Sequence, residues 1–600
     1  MTVTKGGSFL IEGRPPEEPF TPEDVNDQHR LIAQTAEEFV DREIVPRLRE
    51  IEEKKPGLLR ELLRKAGEVG LCGIDVAAKY GGLELDKISS IIIAERMARD
   101  EAWATTIGAQ SGIAILPIAY FGTDAQKEKY VPKLARGEWV GAYCLSEAGS
   151  ASDALHCKAR AELSPDGKHY ILNGVKMWVT NGGIADVYVV FAQVDGDKFT
   201  AFIVERGFPG VSPGAEERKM GIKGSSTTPL HLENVPVPVE NVLGEIGKGH
   251  RVAFNILNVG RLRLGAGCIG GCKILLPQVL KWAGERVAFG RAIASFGLIR
   301  EKLGEMLVRI YAAESASYRT GGLIDSRLAS VDPSEPAAHM RDALQEYAVE
   351  CSILKVAGTE TLDYIVDEAV QVFGGYGFSA EYEIERIYRD QRVNRIFEGT
   401  SEINRLLIVE MLVKRAIKGE LELIPAAQRV LDGILTFQQE ERPDEAGEDE
   451  RLMSGAKSVA LLVAGAALRR FGQAFSEEQE VIGALSNMVI EGYLMESALF
   501  RARKAQAASL GEPAEFHRDA ARCYTHEAAD RVEMEARRVL PRIAQGDELR
   551  SQLALVRRFL KRTPVDTIEL KRRLAGRALS LGHYPFASSL RNTFASTGRT

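Results

Sequence analysis

The sequence predicts a multidomain α+β fold, and three observations carry that expectation. Helical periodicity fills the chain from about Thr21 to Lys133, short β-prone runs crowd the stretch after Val140, and long amphipathic helices return from Gly249 to about residue 585. Six hundred residues exceed what one hydrophobic core accommodates. The expected units are a helical domain over residues 1–140, a β domain over 141–247, a helical bundle over 248–420 and a helical extension over 421–600.

In chain order, Thr21-Pro22-Glu23-Asp24 offers an N-cap, a first-turn proline and a capping-box acid. Ile32, Ala36, Phe39 and Val40 then share one helix face. In the β domain, Asn173-Gly174 within YILNGVKMWVTNGG is the strongest local hairpin signal, and Asp195-Gly196 joins Val187–Val194 to Phe199–Val204 in the same manner. Leu230–Val235 reads as a further strand. Helices are expected over Val252–Leu280, Leu298–Asp325, Pro336–Gly374 and Glu402–Lys418, in the manner of an up-and-down bundle. Glu440–Arg451, dense in acid with Pro443 and Gly447, reads as a solvated linker or loop. No fixed-period repeat is evident.

Composition excludes little but sets the class. Hydrophobic residues make up 45% and charged residues 27%, as in ordinary globular proteins, and a net charge of −7 gives no general affinity for nucleic acid or anionic membrane. Seven scattered cysteines without a C-x-x-C pair suit unpaired thiols in a reducing compartment, and no metal site is expected. The N-terminal stretch lacks a secretory apolar core, and Val459–Leu468 is too short to span a bilayer, so no transmembrane segment and a cytoplasmic setting are expected.

Chemistry concentrates in Tyr388–Arg405, YRDQRVNRIFEGTSEINR. A basic, partly extended run stops at Phe397-Glu398-Gly399. Thr400 or Ser401 then caps a helix with Ile403, Leu406, Leu407 and Met411 on one face, which Gly419 closes. Glu398 is either a positioned base before a helix N-terminus or a solvated glutamate in a capping turn. A second stretch, GAYCLSEAGSASDA from Gly141, is dense in small and hydroxyl residues that leave backbone N–H groups open to a ligand.

CLSEAGSASDA, KMWVTNGG, ERVAFGRAI, VQVFGGYGF and YRD…IFEGTSEINR, in this order and spacing, resemble the acyl-CoA dehydrogenase family over residues from about 20 to 420. FGRAIASFGLIREKL and the extension are similar to its very-long-chain branch. The resemblance implies a β-barrel-like central domain, a four-helix-bundle domain and a flavoenzyme. Glu398 would remove the α-proton of an acyl-CoA thioester while a β-hydride passes to FAD, giving a trans-2-enoyl-CoA. For FAD it implies Tyr143, Leu145, Ser146, Trp178 and Thr180 at the ring, with Thr400 and Glu402 by the adenosine half. Arg286, Phe289, Gln371 and Gly375 would reach the flavin of a neighbouring subunit, which requires at least a homodimer. For substrate it implies Ser152 near the CoA arm, Asn258 and Arg261 on the helix that meets the CoA adenosine and phosphates, and Phe397 and Gly399 beside the thioester.

Gly108, Ala109 and Gly112 fall where the family closes its acyl pocket, and such small residues imply a deep slot and a long-chain substrate. Ala148 and Ala151 replace a usual proline and glycine, and Gly297 stands at a polar cofactor contact of some members. An electron-transferring flavoprotein is the implied electron acceptor. An oxidase on the same fold, or an assembly protein working through the extension, are the rival expectations. The acidic entry to the extension favours a mainly soluble protein over a membrane-bound one.

Overall fold

The computed structural model describes residues 4–12, 18–331, 335–432, 445–508 and 512–586. Thr21 and Asp24 form the expected capping box, but on a single 3-10 turn, Pro22–Asp24. Helix α1, Asp27–Phe39, starts on its own cap, Asn26, and buries Ala33, Ala36 and Phe39. There follow α2 (Leu48–Glu52), α3 (Leu58–Glu68), α4 (Lys87–Met97), α5 (Glu101–Gly108), a π-helical stretch Ala109–Ala114, α6 (Ile115–Phe121) and α7 (Asp124–Ala135). Asp86, Asp100 and Thr123 cap α4, α5 and α7, each accepting a backbone N–H that the first turn cannot pair itself.

The central sheet contains β1 (Gly141–Cys144), β2 (Arg160–Leu163), β3 (His169–Thr180), β4 (Val187–Val194), β5 (Lys198–Glu205), β6 (Val211–Pro213), β7 (Thr227–Pro238) and β8 (Val242–Leu243). Its order is β6-β7-β3-β2-β4-β5-β8, with β1 parallel to β4. Side chains alternate along β4. Tyr188 and Val190 join Leu172, Phe202, Leu230 and Val235 in one interior shared by β3, β4, β5 and β7. Val189 and Phe191 face the helical core instead. The sheet thus packs one face against residues of α1, α3 and α5 and the other against α6, α7 and α8.

The bundle comprises α8 (Gly249–Glu285), a small hairpin of β9 (Val287–Ala288) and β10 (Arg291–Ala292), α9 (Gly297–Ala329), α10 (Pro336–Glu346), α11 (Ala348–Phe373), α12 (Glu383–Gln391) and α13 (Ser401–Ile417). The extension supplies α14 (Leu423–Asp432), α15 (Glu445–Phe471), α16 (Gln479–Ala507), α17 (Glu512–Ile543), α18 (Gly546–Phe559) and α19 (Thr567–Leu581). It packs on α9 and α13, and buried charges stitch the seam. Arg501 of α16 bonds Glu314 of α9 (2.6 Å) and Glu23 of the N-terminal segment (2.7 Å). Arg319 pairs with Glu496 (2.7 Å), and Lys571 with Glu305 (2.8 Å).

Several sequence expectations need correction. Asn173-Gly174 is no turn: β3 runs straight through it as a bulge, and the Asn173 carboxamide oxygen accepts the Asn234 N–H (2.9 Å) across the irregular register. Asp195-Gly196 does form the β4–β5 hairpin, with φ of 52° and 88°. Pro336–Gly374 is two helices that meet at Tyr347. The run before Phe397 is helical, in α12 and a 3-10 turn Arg392–Arg395, rather than extended. On α13 the fully buried apolar residues are Ile408, Val409 and Leu412, while the expected Ile403, Leu406, Leu407 and Met411 are half-buried, Leu406 and Met411 packing against the core. Residues 440–444 lie outside the described ones, and from Glu445 onward the acidic stretch is the start of α15.

All seven cysteines are buried and free. Among the described residues no group of three or more His, Cys, Asp or Glu could hold a metal ion. Among the described residues, two helical stretches, Glu101–Phe121 and Gly447–Glu477, are long and apolar enough to cross a membrane by length and composition, although neither is an uninterrupted apolar run. Their most apolar windows are 67% and 72% buried inside the protein, the situation of core helices.

Candidate active site

Glu398 occupies the turn between the Arg392–Arg395 3-10 helix and α13. Its backbone is left-handed, φ 57°, and Gly399 follows at φ 80°. A non-glycine residue held there stores about 1–3 kcal/mol. The turn survives because its carbonyls are pinned. The Arg261 Nε–H donates to the Glu398 carbonyl (3.1 Å), and the Asn404 amide donates to the carbonyls of Glu398, Gly399 and Thr400 (3.3, 2.8 and 3.0 Å). The Thr400 hydroxyl accepts the Ile403 N–H (3.2 Å) and opens α13.

The carboxyl projects from this turn toward α8 and rests against Gly260. A Cβ there would stand 2.6–2.8 Å from the carboxyl atoms of Glu398. Oε2 is buried without a hydrogen-bond partner. Burial raises the carboxyl to about 7, against the opposing pull of Arg261 and Lys355. Lys355 on α11 is itself lowered to about 8 by burial, and its Nζ reaches only the Ser401 hydroxyl, at 3.5 Å. A carboxyl that titrates near neutrality and lacks a protein donor is equipped to take a proton from a ligand.

It opens on a cleft enclosing about 980 Å³ of empty space, part of it open to solvent. Ile93, Met97, Ile107 and Leu264 make its walls apolar, while Gly108, Ala109 and Gly112 leave it wide. Thr180 and Phe397 line it together with Glu398. Arg263, which also lines the cleft, spends its guanidinium on Ser90, Ser111 and Asp75.

Beside the cleft, the Tyr143 hydroxyl is buried and unpartnered. Trp178 is 56% exposed and also left-handed, φ 59°. Lys176 locks the loop after β1 to β3 through a buried pair with Glu147 (2.7 Å), and the Met177 N–H bonds the Ser146 carbonyl (2.9 Å). Tyr143, Leu145, Ser146, Trp178 and Thr180 therefore come together. An indole presented outward at a cost in backbone strain, next to orphaned buried hydroxyl and carboxyl groups, suits a flat polar-edged ring.

The chain matches the N-terminal domain of acyl-CoA dehydrogenases over residues 26–138, the middle domain over 142–235 and the C-terminal domain over 247–413, with a further acyl-CoA dehydrogenase C-terminal domain over 455–558. It is 46% identical to a probable acyl-CoA dehydrogenase of Bacillus subtilis (strain 168), over 96% of this chain and 97% of that protein. The chain belongs to the acyl-CoA dehydrogenase family. It is also 40% identical to the human mitochondrial very long-chain specific acyl-CoA dehydrogenase, over 57% of this chain and 51% of that protein. An acyl-CoA dehydrogenase from Bacillus anthracis, solved in complex with FAD, superposes with a TM-score of 0.95 at 45% identity, over 97% of this chain and 99% of that one.

In this acyl-CoA dehydrogenase, the residues expected to serve a neighbouring subunit gather on one outer face. Phe289 is 94% exposed and left-handed at the tip of the β9–β10 hairpin. Arg286 lies 5.3 Å from the centre of the Tyr376 ring, beside exposed Gln371 and Gly375 at the end of α11. Glu402 is exposed on the first turn of α13, next to Thr400. Ser152, with Ala148 and Ala151, is exposed on the loop after β1. Asn258 and Arg261 are buried beneath the Glu398 turn, with Asn258 accepting from Arg261 (3.3 Å), rather than open to bulky phosphates. Gly260, Lys355 and Asn404 escaped the sequence reading. Gly260 sits inside the motif quoted for Arg261, but only packing shows that its missing side chain makes room for the base.

Proposed function

We propose that this acyl-CoA dehydrogenase oxidises long-chain acyl-CoA thioesters to trans-2-enoyl-CoA, with Glu398 as the base and FAD as its cofactor. The observation that carries it is the unpartnered Oε2 of Glu398 on the lining of a largely apolar cleft. Tyr143, Leu145, Ser146, Trp178, Thr180, Thr400 and Glu402 of one protomer, with Arg286, Phe289, Gln371 and Gly375 of a second, would hold FAD. When bound, FAD supplies the acceptor for hydride from the substrate β-carbon.

The protein's own part is geometric and electrostatic. The cleft draws the acyl chain out of water. Phe397 and Gly399 border the thioester, and the strained turn fixes the Glu398 carboxyl beside the α-carbon. The proton passes to a Glu398 oxygen that no protein donor occupies. A ligand filling the cleft removes remaining water and makes the carboxylate a stronger base. Ser152 is assigned to the CoA arm. Asn258 and Arg261 act from beneath the turn, so their route to CoA runs through the position of Glu398. An electron-transferring flavoprotein is the proposed electron acceptor.

Anaerobic addition of palmitoyl-CoA to the purified protein should bleach the flavin spectrum within one turnover. Glu398→Gln should bind the same substrate and leave the flavin oxidised. Bleaching by the variant at the wild-type rate refutes the role of Glu398, and release of hydrogen peroxide without an added acceptor would mark an oxidase instead.

A further inference from the structure

The cleft has a second acidic end. Glu101, the first residue of α5, lines it together with Asn394 of the 3-10 turn that leads to Glu398. Asn394 is 1% exposed, and its amide nitrogen is buried without a hydrogen bond of good geometry. It nevertheless lies close enough to Glu101 to favour the charged carboxylate; burial and the neighbouring Asp390 and Asp100 prevail and raise Glu101 to about 8. A carboxyl raised in this way sits beside the buried Asn394 amide, on a cleft also lined by Met97, Ala98 and Cys268.

Helix α8 provides a ruler between the two acids. Gly260 abuts the Glu398 carboxyl, and a Cβ on Gly271 would lie 3.8 Å from Oε1 of Glu101. Eleven residues of α-helix advance about 16 Å. An extended chain advances about 1.2 Å per bond, so about 13 bonds separate a carbon at Glu398 from an atom at Glu101. With the α-carbon at Glu398, the far end falls at about the fifteenth carbon.

We propose that Glu101 and Asn394 form a polar end-stop that hydrogen-bonds an oxygenated ω-terminus, selecting long-chain acyl-CoA that carries a terminal hydroxyl. A methyl terminus would leave the Asn394 amide nitrogen buried without a good acceptor, which a site built for a hydroxyl penalises. The inference rests on the acyl-CoA dehydrogenase reading above, with Glu101 a specificity-determining residue remote from the reacting carbons.

The test compares kcat/KM of the FAD-loaded enzyme for palmitoyl-CoA and 16-hydroxypalmitoyl-CoA. The wild type should favour the hydroxylated chain by about tenfold or more. Glu101→Leu should reverse the preference, mainly through KM, and Glu101→Gln, which keeps a donor and an acceptor, should retain it. Equal or better use of palmitoyl-CoA by the wild type overturns the proposal without needing any variant to fold. An unchanged preference in Glu101→Leu overturns the assignment to this residue. Failure of both substrates to reduce the flavin, by contrast, overturns the dehydrogenase reading beneath it.

Discussion

Gly260→Ala would place a methyl group 2.6, 2.7 and 2.8 Å from Oε2, Cδ and Oε1 of Glu398. Comfortable heavy-atom contacts begin at about 3.5 Å, so the carboxyl must withdraw by about 0.7–0.9 Å. What moves is the free end of a side chain, and the backbone of α8 stays in place. Alanine is favoured over glycine inside a helix by about 1 kcal/mol, so the thermal midpoint should hold or rise. Displacing a reacting group by about 1 Å costs about a hundredfold in rate. Single-turnover flavin bleaching with palmitoyl-CoA should therefore slow about a hundredfold, with substrate affinity little changed. Gly267→Ala is the matched control: its methyl meets only the Ala94 carbonyl, at an ordinary 3.6 Å. It should narrow the cleft for long chains and spare a four-carbon substrate. A Gly260→Ala enzyme that bleaches at the wild-type rate would refute the position assigned to the base.

Four further outcomes are expected. Because burial holds Glu398 near 7 against its ordinary 4.5, the folded protein binds more protons than the unfolded chain between these values. Stability contributed at this site therefore falls as pH rises from 4.5 to 7, by up to about 3 kcal/mol, and Glu398→Gln should be the more stable protein at pH 8 in denaturant titrations of ligand-free enzyme. For the wild type, kcat/KM should rise with pH and level off above about 7, and a flat profile across pH 6–8 would remove the titrating base. Arg501→Met strands Glu314, which Arg501 and Lys273 hold at about 2 against its burial, and should cost about 3–5 kcal/mol in unfolding experiments. Phe289→Asp should weaken self-association in sedimentation and FAD retention together; loss of neither would free this face from the dimer role.

Sequence reading succeeded where local chemistry decides structure. Asp195-Gly196 supplies two left-handed residues in a row, and the chain turns there. Thr400 caps α13 because its hydroxyl finds the Ile403 N–H. It failed where distant neighbours decide. Asn173-Gly174 has the composition of a turn, yet β7 runs alongside and draws it into the ladder with a bulge. Glu398 was legible from its motif, but the pinning of its strained turn and the room for its carboxyl depend on Arg261 and Gly260, far away in the chain, as well as on nearby Asn404. Trp178 in isolation reads as a core aromatic, whereas the irregular register between Lys176 and Val179 turns it outward. Glu101 carried no motif, and only the course of α8 shows that it faces the same cleft as the base.

The Arg501–Glu23 contact joins residues 478 positions apart. At about 5–20 residues per second on the ribosome, Glu23 waits roughly 25–100 s for its counter-ion to be made. The sheet and the helices before it can condense within the first few hundred residues, and the Gly6 and Gly7 N–H groups then find Glu346 and Glu350 in the bundle, but Glu23 stays without its guanidinium until α16 emerges. Closure of this seam is therefore timed by α16, and a nascent chain halted before it would leave Glu23 and Glu314 without the guanidinium they share.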